Sequence, residues 1–511
     1  MEAAIFNLFV YILSFQSSLF ASVLAGFLLL IVYSYIRQRN IPPGPYALPI
    51  LGSVGFFRAF KQRRHLVLSD LAEKYGNIFS VYAGTRLVVF LNGYDVIREA
   101  FVKNALVFSE RPNWLPSLQN GLSEGKGLVW QGAGHAGSAR KFAVQALREF
   151  GLGKTSLQDK VLREMNAVSS VFKQRTGKPF RMKTTLKKAI TNVIHDIVFG
   201  KRFNLDEDGL NRLTFLIDEF FRGGIFIPKN FLPKILSTLL PKNEEEYQRK
   251  QKVIGELKQY IYGSIAEHEQ DFDSHSIRDF IDLYINASKH RNDVDSSYIP
   301  TKGEVFRIIL DLFLAGSETT ASTLDWCFMF MVKYPDIQEK CYQEITQLSG
   351  VYSDKAHIDW ARRQHLPYVE ATLTEVQRLA SIVPLGLPHV TSKTVALQGY
   401  VIPKDTIVFA NLYSCSMDRI VWNGVNEFNP ERHIDANSQF KRNEKLIPFS
   451  IGARMCLGDS MAKLEIFIMF TNLIKRFKFT KFGDSDLSVA HVKVDHPVAS
   501  AENFEVIITE R

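Results

Sequence analysis

Apolar residues in this chain gather in long runs at helical spacing, separated by short polar or proline-rich links. Ile308 to Met331 forms one such run, and Met461 to Phe470 repeats the periodicity nearer the C-terminus. Lys201 to Gly224 and Glu244 to Glu269 read as mainly helical, whereas Asn292 to Ser297 is polar and reads as a loop. β-Structure is signalled only by Ile407, Val408 and Phe409, with a turn at Val401 to Pro403. No repeat or low-complexity tract intervenes. The expected class is therefore mostly α with a small β region.

The first 40 residues stand apart. No charged residue occurs between Ala3 and Ile36, and Leu19 to Ile36 is almost wholly apolar. At about 1.5 Å of rise per residue, the latter stretch nearly crosses a hydrocarbon layer of about 30 Å. A cleaved signal peptide would have a shorter apolar region with positive charge ahead of it; here the charge follows, at Arg37 and Arg39. The expectation is a single transmembrane helix and basic stop in residues 1–40, with residues 41–511 on the cytosolic side. Ile41-Pro42-Pro43-Gly44-Pro45 cannot continue a helix and reads as a hinge. A second apolar stretch, Ile225 to Pro233, carries two prolines and is expected to touch the bilayer.

Composition narrows the classes further. At 511 residues with 46% hydrophobic content the chain can bury a large single core. Its four cysteines, Cys327, Cys341, Cys415 and Cys456, show no paired spacing and no zinc pattern, which argues for a reducing compartment. The net charge of +9 suits anionic lipid or an acidic protein partner. No basic cluster interleaves with aromatics, so a nucleic-acid face is not expected.

Chemistry concentrates at Phe449-Ser450-Ile451-Gly452-Ala453-Arg454-Met455-Cys456-Leu457-Gly458. Two glycines flank one cysteine just before an apolar helix. Backbone amides and the helix start can point at its sulfur, and both favour thiolate. Arg454 can reach an anionic group beside the ligand. An axial sulfur and a cation for a propionate are what a haem needs.

The stretch resembles F-x-x-G-x-R-x-C-x-G, the haem-binding signature of the cytochromes P450, and further motifs of that family follow in order. Ala315-Gly316-Ser317-Glu318-Thr319-Thr320, about 140 residues before Cys456, resembles the distal helix, where a mid-helix glycine and back-bonding hydroxyls open a groove for O2. Glu375-Val376-Gln377-Arg378 and Phe428-Asn429-Pro430-Glu431-Arg432-His433 resemble the E-x-x-R and F-x-P-E-R-F elements, with His433 in place of the final Phe. The resemblance implies a buried structural cluster of Glu375, Arg378 and Arg432. Val383-Pro384-Leu385-Gly386-Leu387-Pro388-His389 is similar to the extended segment that lines the substrate cavity. One element departs from the pattern: Arg140 occupies the arginine of W-x-x-x-R, but Ala136 stands where the Trp should be, among Gly132, Gly134 and Gly137. The indole donor to haem is lost and the helix start should be weakened.

The resemblance implies a cytochrome P450 fold preceded by a single N-terminal transmembrane helix, with haem b as cofactor. Cys456 would be the iron ligand, with Arg140, His389, Arg454 and Phe449 around the haem. Glu318 and Thr319 would carry protons, and Phe313, Leu314, Ala315, Val383, Leu385 and Leu387 would line the substrate pocket. The wording is similar to animal microsomal members, which implies an endoplasmic reticulum membrane, electrons from NADPH-cytochrome P450 reductase with cytochrome b5 as a second donor, and a small hydrophobic substrate. Basic residues Arg140, Lys141, Arg148, Lys441, Arg442, Lys445 and Arg454 would suit such a donor. The implied reaction is hydroxylation or epoxidation with one atom of O2. Two alternatives are a haem-thiolate isomerase or dehydratase acting on peroxides and a non-catalytic haem-binding sensor; neither needs NADPH.

Overall fold

The computed structural model describes residues 25–26, 40–48, 51–63, 65–112, 127–151, 155–222, 244–289, 298–352, 357–483, 487, 498–501 and 504–511. Among them no helix is long and apolar enough to cross a membrane. The apolar N-terminal run (all but 25 and 26), the stretch 225–233 and the polar segment 292–297 lie outside the described residues.

The helices of ten or more residues are α1 Val54–Arg63, α2 His65–Tyr75, α3 Ala133–Glu149, α4 Thr155–Gln174, α5 Lys183–Phe199, α6 Asp208–Phe221, α7 Glu244–Asp271, α8 Phe280–Lys289, α9 Lys302–Lys333, α10 Pro335–Tyr352, α11 Pro367–Ala380 and α12 Asp459–Arg476. Helix α9 begins at a capping box, in which Thr301 and Glu304 bond to each other's backbone amides. Its length reflects burial on nearly every side: it packs against α5, α7, α11 and α12, and Trp326, Phe328 and Phe330 are essentially solvent-free.

The expected helix over Lys201 to Gly224 is shorter than the periodicity suggests. α5 ends at Gly200, whose φ of 62° is left-handed, and α6 starts only at Asp208. Between them Phe203 exchanges hydrogen bonds with the Asn192 side chain (3.2 and 2.8 Å), which replaces helical bonding by a tie to α5.

β-Structure is small, as expected. Strands β1 Ile78–Ala83, β2 Arg86–Asn92, β3 His389–Val390 and β6 Ile407–Asn411 form one sheet in the order β1-β2-β6-β3. β2 and β6 run parallel, and the other pairs are antiparallel. Every residue of β6 is buried because the sheet is covered on both faces: Ile407 and Phe409 enter one apolar cluster, Val408 and Ala410 the other. Two small hairpins complete the set, β4 Val395–Leu397 with β5 Tyr400–Ile402, and β7 Phe477–Lys481 with β8 Val506–Glu510. The turn placed at Val401 to Pro403 is instead the end of β5.

The proline-rich hinge is extended and fixed to the sheet. Ser80 on β1 donates its amide to Pro43 and its hydroxyl to Pro42 (2.8 and 2.7 Å). A Cβ at Gly44 would fall 1.7 Å from the Ser80 carbonyl oxygen, so only glycine permits this approach.

Candidate functional site

The cysteine loop is shaped by one glycine more than by two. Gly452 has φ 81°, and a Cβ there would meet the Phe101 carbonyl oxygen at 2.0 Å. Gly458 has an ordinary φ of −90°, caps the start of α12 and has open space around it. Its amide bonds to the Cys456 sulfur, while the Cys456 amide donates to the Phe449 carbonyl (2.9 Å). Of the four cysteines only Cys456 is exposed; Cys327, Cys341 and Cys415 are buried thiols. The expectation of an intrinsically favoured thiolate needs correction. Crowding by the loop pushes the Cys456 thiol up, helped by Asp459, and outweighs the Gly458 amide, Arg140 and Lys463. A coordinating metal cation would deprotonate this thiol.

Beside this loop lies a cluster of cationic side chains. Arg454 donates to the carbonyls of Ser109 (2.9 Å), Leu128 (3.4 Å) and Gln131. Arg140, on α3, donates to the Met455 carbonyl (2.7 Å), which docks α3 directly on the cysteine loop. His389 is buried, its Nδ1 2.5 Å from the Phe108 carbonyl oxygen and its ring stacked on Phe101. Sequence reasoning missed Arg111, which is buried and donates to the carbonyls of Pro388 (2.7 Å) and Val129 (3.1 Å). Burial and the Arg454 charge lower Arg111 to about 9. Burial, then Arg111 and Arg454, hold His389 well below the usual imidazole range. A buried arginine and histidine packed beside Arg454 fit a group bearing carboxylates. The only signal for Arg111 was a Glu-Arg-Pro triplet following Phe108-Ser109, too common to weigh.

Glu110 explains why the glycine-rich start of α3 folds. Its carboxylate accepts from the Ala133 amide (3.1 Å), and a Cβ on Gly132 would lie 2.2 Å from it. The helix runs from Ala133 through Gly134 and Gly137, so the weakened start is compensated from outside the helix.

The predicted distal motif sits mid-way along α9. Thr319 Oγ1 donates to the Ala315 carbonyl (2.7 Å) and Thr323 Oγ1 to the Thr319 carbonyl (2.9 Å), the back-bonding the sequence suggested. Ala315 and Thr319 have open faces. Their neighbours do not share that face. Phe313 lies against His195 and Phe199 in the core, and Leu314 is buried in the same cluster. Glu318 points toward α5, where Lys187 (2.5 Å), Lys183 (3.3 Å) and the Ser322 hydroxyl (3.1 Å) engage its carboxylate. Lys187 also pairs with Asp218 on α6. The acid and the alcohol expected to act together thus occupy different sides of one helix.

A strap from Gly127 to Gln131 links the cationic cluster to α9. Its carbonyls accept from Arg454 and Arg111, and its Leu128 and Val129 amides donate to Asp311 on α9 (2.7 and 3.0 Å). In the segment before β3, Val383, Leu385 and Leu387 are half-buried, but the expected extended backbone is interrupted by a turn, in which the Gly386 amide donates to the Val383 carbonyl (3.1 Å) and Gly386 takes φ 57°. Farther down, Glu375 accepts from Arg378 through two bonds of 2.8 Å, from Arg432 (2.9 Å) and from His433 (3.0 Å). His433, a departure from the expected Phe, has joined the ionic cluster.

A family model described as Cytochrome P450 matches residues 42–491. The chain belongs to the cytochrome P450 family. It is 35% identical to cytochrome P450 2U1 of Bos taurus over 475 residues, covering 88% of this chain and 86% of the relative. It is 34% identical to cytochrome P450 2J2 of Homo sapiens over 457 residues (89% and 88%) and 33% to cytochrome P450 2B4 of Oryctolagus cuniculus over 479 residues (91% and 93%). Cytochromes P450 are monooxygenases that bind haem b through a cysteine thiolate, and haem b is the cofactor here. The open sulfur of Cys456 and the carboxylate-seeking cluster beside it fit that group.

Proposed function

We propose that this cytochrome P450 inserts one atom of O2 into a C–H or C=C bond of an apolar substrate. The other atom leaves as water, and two electrons arrive from NADPH through a flavoprotein reductase, with cytochrome b5 as a second donor. One observation carries the reading: the single exposed cysteine sits in a loop held by Arg140 and Arg454, beside the buried Arg111 and His389. In this reading Cys456 is the only protein ligand to iron, Phe449 lies beside it, and Arg140, Arg454, His389 and Arg111 hold the propionates. Haem, when bound, supplies O2 activation, and the thiolate favours O–O cleavage.

The chain's own residues supply placement and protons. Ala315 and Thr319 leave room above the haem, with Val383, Leu385 and Leu387 as the facing wall, and Phe313 and Leu314 back that space from the core. Thr319 holds a proton at Oγ1, and Glu318 reaches it only by releasing a lysine. Glu375, Arg378 and Arg432 keep the fold beneath the site in place.

The proposed arrangement is a catalytic body, residues 41–511, tethered to the endoplasmic reticulum membrane by one helix within residues 1–40. Ile225 to Pro233 would make a second lipid contact. Exposed Lys141, Arg148, Lys441 and Arg442 offer basic ground to an acidic electron donor. The test is oxygen incorporation from labelled O2 with NADPH and reductase. Rearrangement of a peroxide without NADPH would favour the isomerase alternative, and haem binding without any turnover would favour the sensor.

A further inference from the structure

Consecutive residues from Phe108 to Arg111 each hold a different piece of the cysteine site. The Phe108 carbonyl oxygen lies 2.5 Å from His389 Nδ1, the Ser109 carbonyl accepts from Arg454 (2.9 Å), and Arg111 donates to the carbonyls of Val129 and Pro388. Glu110 is the acid among them, and the reaction just described gives it no task. Its backbone is fixed to the end of β3, where its carbonyl accepts from the Val390 amide (2.9 Å). Its side chain turns the other way and accepts from the Ala133 amide, at the first position of α3 (3.1 Å).

Helix α3 has nothing of its own to hold that end. Its N-cap is Gly132 and its first turn contains no acid, so neither a side-chain acceptor nor a negative charge comes from the helix itself. Glu110 supplies both from 23 residues away. The approach is close: a Cβ on Gly132 would lie 2.2 Å from Glu110 Oε2, whereas a Cβ on Gly134 or Gly137 would meet nothing within 4 Å. Of these three positions, glycine is thus required only at 132, where the carboxylate enters. A helix cap explains the bond but not where the helix leads. Arg140 lies seven residues beyond Ala133, about 10.5 Å along α3, and donates to the Met455 carbonyl (2.7 Å), next to Cys456. The Glu110 charge also opposes the effect of burial on Arg454, the second arginine of the cysteine loop.

We propose that Glu110 is a positioning residue of the haem seat: by pinning the first turn of α3 to the sheet, it holds Arg140 on the cysteine loop. Without that pin the glycine-rich turn frays, and the long Arg140 side chain loses its register against Met455. This assignment rests on the reading that Arg140 holds a haem carboxylate, and it names the residue that keeps Arg140 in place.

The experiment follows haem transfer from the full-length, haem-loaded protein to an acceptor globin, with amide hydrogen exchange along α3 measured in parallel. Glu110→Ala should release haem roughly tenfold faster, the worth of one charge-assisted bond, and the first turns of α3 should exchange faster. Glu110→Gln keeps a neutral acceptor and should fall between Glu110→Ala and wild type. Gly132→Ala should reproduce Glu110→Ala, because its Cβ takes the place of the carboxylate, and should add little when Glu110 is already alanine. Arg140→Leu gives the deciding comparison. It should speed haem release by itself, and adding Glu110→Ala should then speed it little further, since the two act in series. A residue that only stabilises the fold would instead multiply the effect of Arg140→Leu. That multiplication would overturn the proposal, as would wild-type or slower haem release in both Glu110→Ala and Gly132→Ala. Failure of the underlying reading looks different: Arg140→Leu alone would retain haem as wild type does, and the proposal would fall with it.

Discussion

His433 Nε2 lies 3.0 Å from Glu375 Oε2, and neither side chain reaches solvent. Glu375 thereby accepts from Arg378, Arg432 and His433, and Asn429 adds a backbone amide at 3.1 Å. Burial alone would raise this carboxyl, but the hydrogen bonds of Arg378 and His433 and the Arg378 charge hold it down to about 2. Arg378 in turn donates to the carbonyls of Ser416, Val425 and Glu427, so the cluster ties α11 to the segment that follows β6.

A graded loss of stability should follow when its members are removed. Arg378→Leu strands a buried carboxylate and should cost about 3–5 kcal/mol. His433→Phe removes one charge-assisted bond while both arginines remain, and it also removes the orphaned Nδ1; about 1 kcal/mol is expected. Urea midpoints read from the spectrum of the reduced carbon monoxide complex give the order. A His433→Phe protein as damaged as Arg378→Leu would show that the imidazole is central.

The same carboxylate sets an acid limit. Its folded value is depressed from the ordinary 4.5 to about 2, so its stabilisation is present above pH 4.5 and is lost as pH falls toward 2. The amount is on the order of 3 kcal/mol. Between those pH values the stability of wild type should fall more steeply than that of Glu375→Gln. Parallel curves would assign acid unfolding to other groups.

Motif spacing made the cysteine loop, the Glu375–Arg378 pair and most of the length of α9 legible in the sequence, because each depends on contacts three or four residues apart or on one short loop; Arg432, 57 residues from Glu375, could be placed only through the family resemblance. What could not be read was which way side chains turn. Glu318 and Thr319 are adjacent in sequence, but one helical step of about 100° sends Glu318 to Lys187 and Thr319 to the groove. Arg111 and Glu110 act across hundreds of residues or through a neighbouring helix start, and no local pattern announces that. Gly452 and Gly458 looked equivalent as letters; only the positive φ of Gly452 and the Phe101 carbonyl against it distinguish them.

Cys456→Ser should abolish the red-shifted Soret band of the reduced carbon monoxide complex, which wild type should show. Serine keeps the loop geometry but offers iron no thiolate. Because Cys327, Cys341 and Cys415 are buried, none can substitute. An unchanged band in this variant would remove Cys456 as the ligand.

Arg111→Leu tests the cationic cluster apart from the iron ligand. The substitution keeps bulk but removes one donor near the proposed propionates, so haem should dissociate faster, by roughly tenfold for one lost charge-assisted bond. Transfer of haem to an acceptor globin measures this directly. Retention at the wild-type rate would make Arg111 a purely structural tie between Val129 and Pro388.

Proton delivery is the last prediction, and it turns on the two faces of α9. Thr319 acts after O2 has been reduced, so Thr319→Ala should leave substrate affinity intact and divert electrons from product to hydrogen peroxide. Glu318 has a different task. Its carboxylate is fixed by Lys187 and Lys183, and any proton it passes to the Thr319 side requires that pairing to open. Glu318→Gln should therefore slow NADPH-dependent turnover, on the order of 10²-fold for a lost general acid, with less peroxide than Thr319→Ala. Lys187→Met removes one restraint and should change the pH dependence of turnover, whereas loss of a merely structural ion pair would lower stability alone. Product, peroxide and NADPH measured together separate these cases. A wild-type ratio of product to NADPH in both Thr319→Ala and Glu318→Gln would eliminate the pair as proton carriers and restore the isomerase alternative.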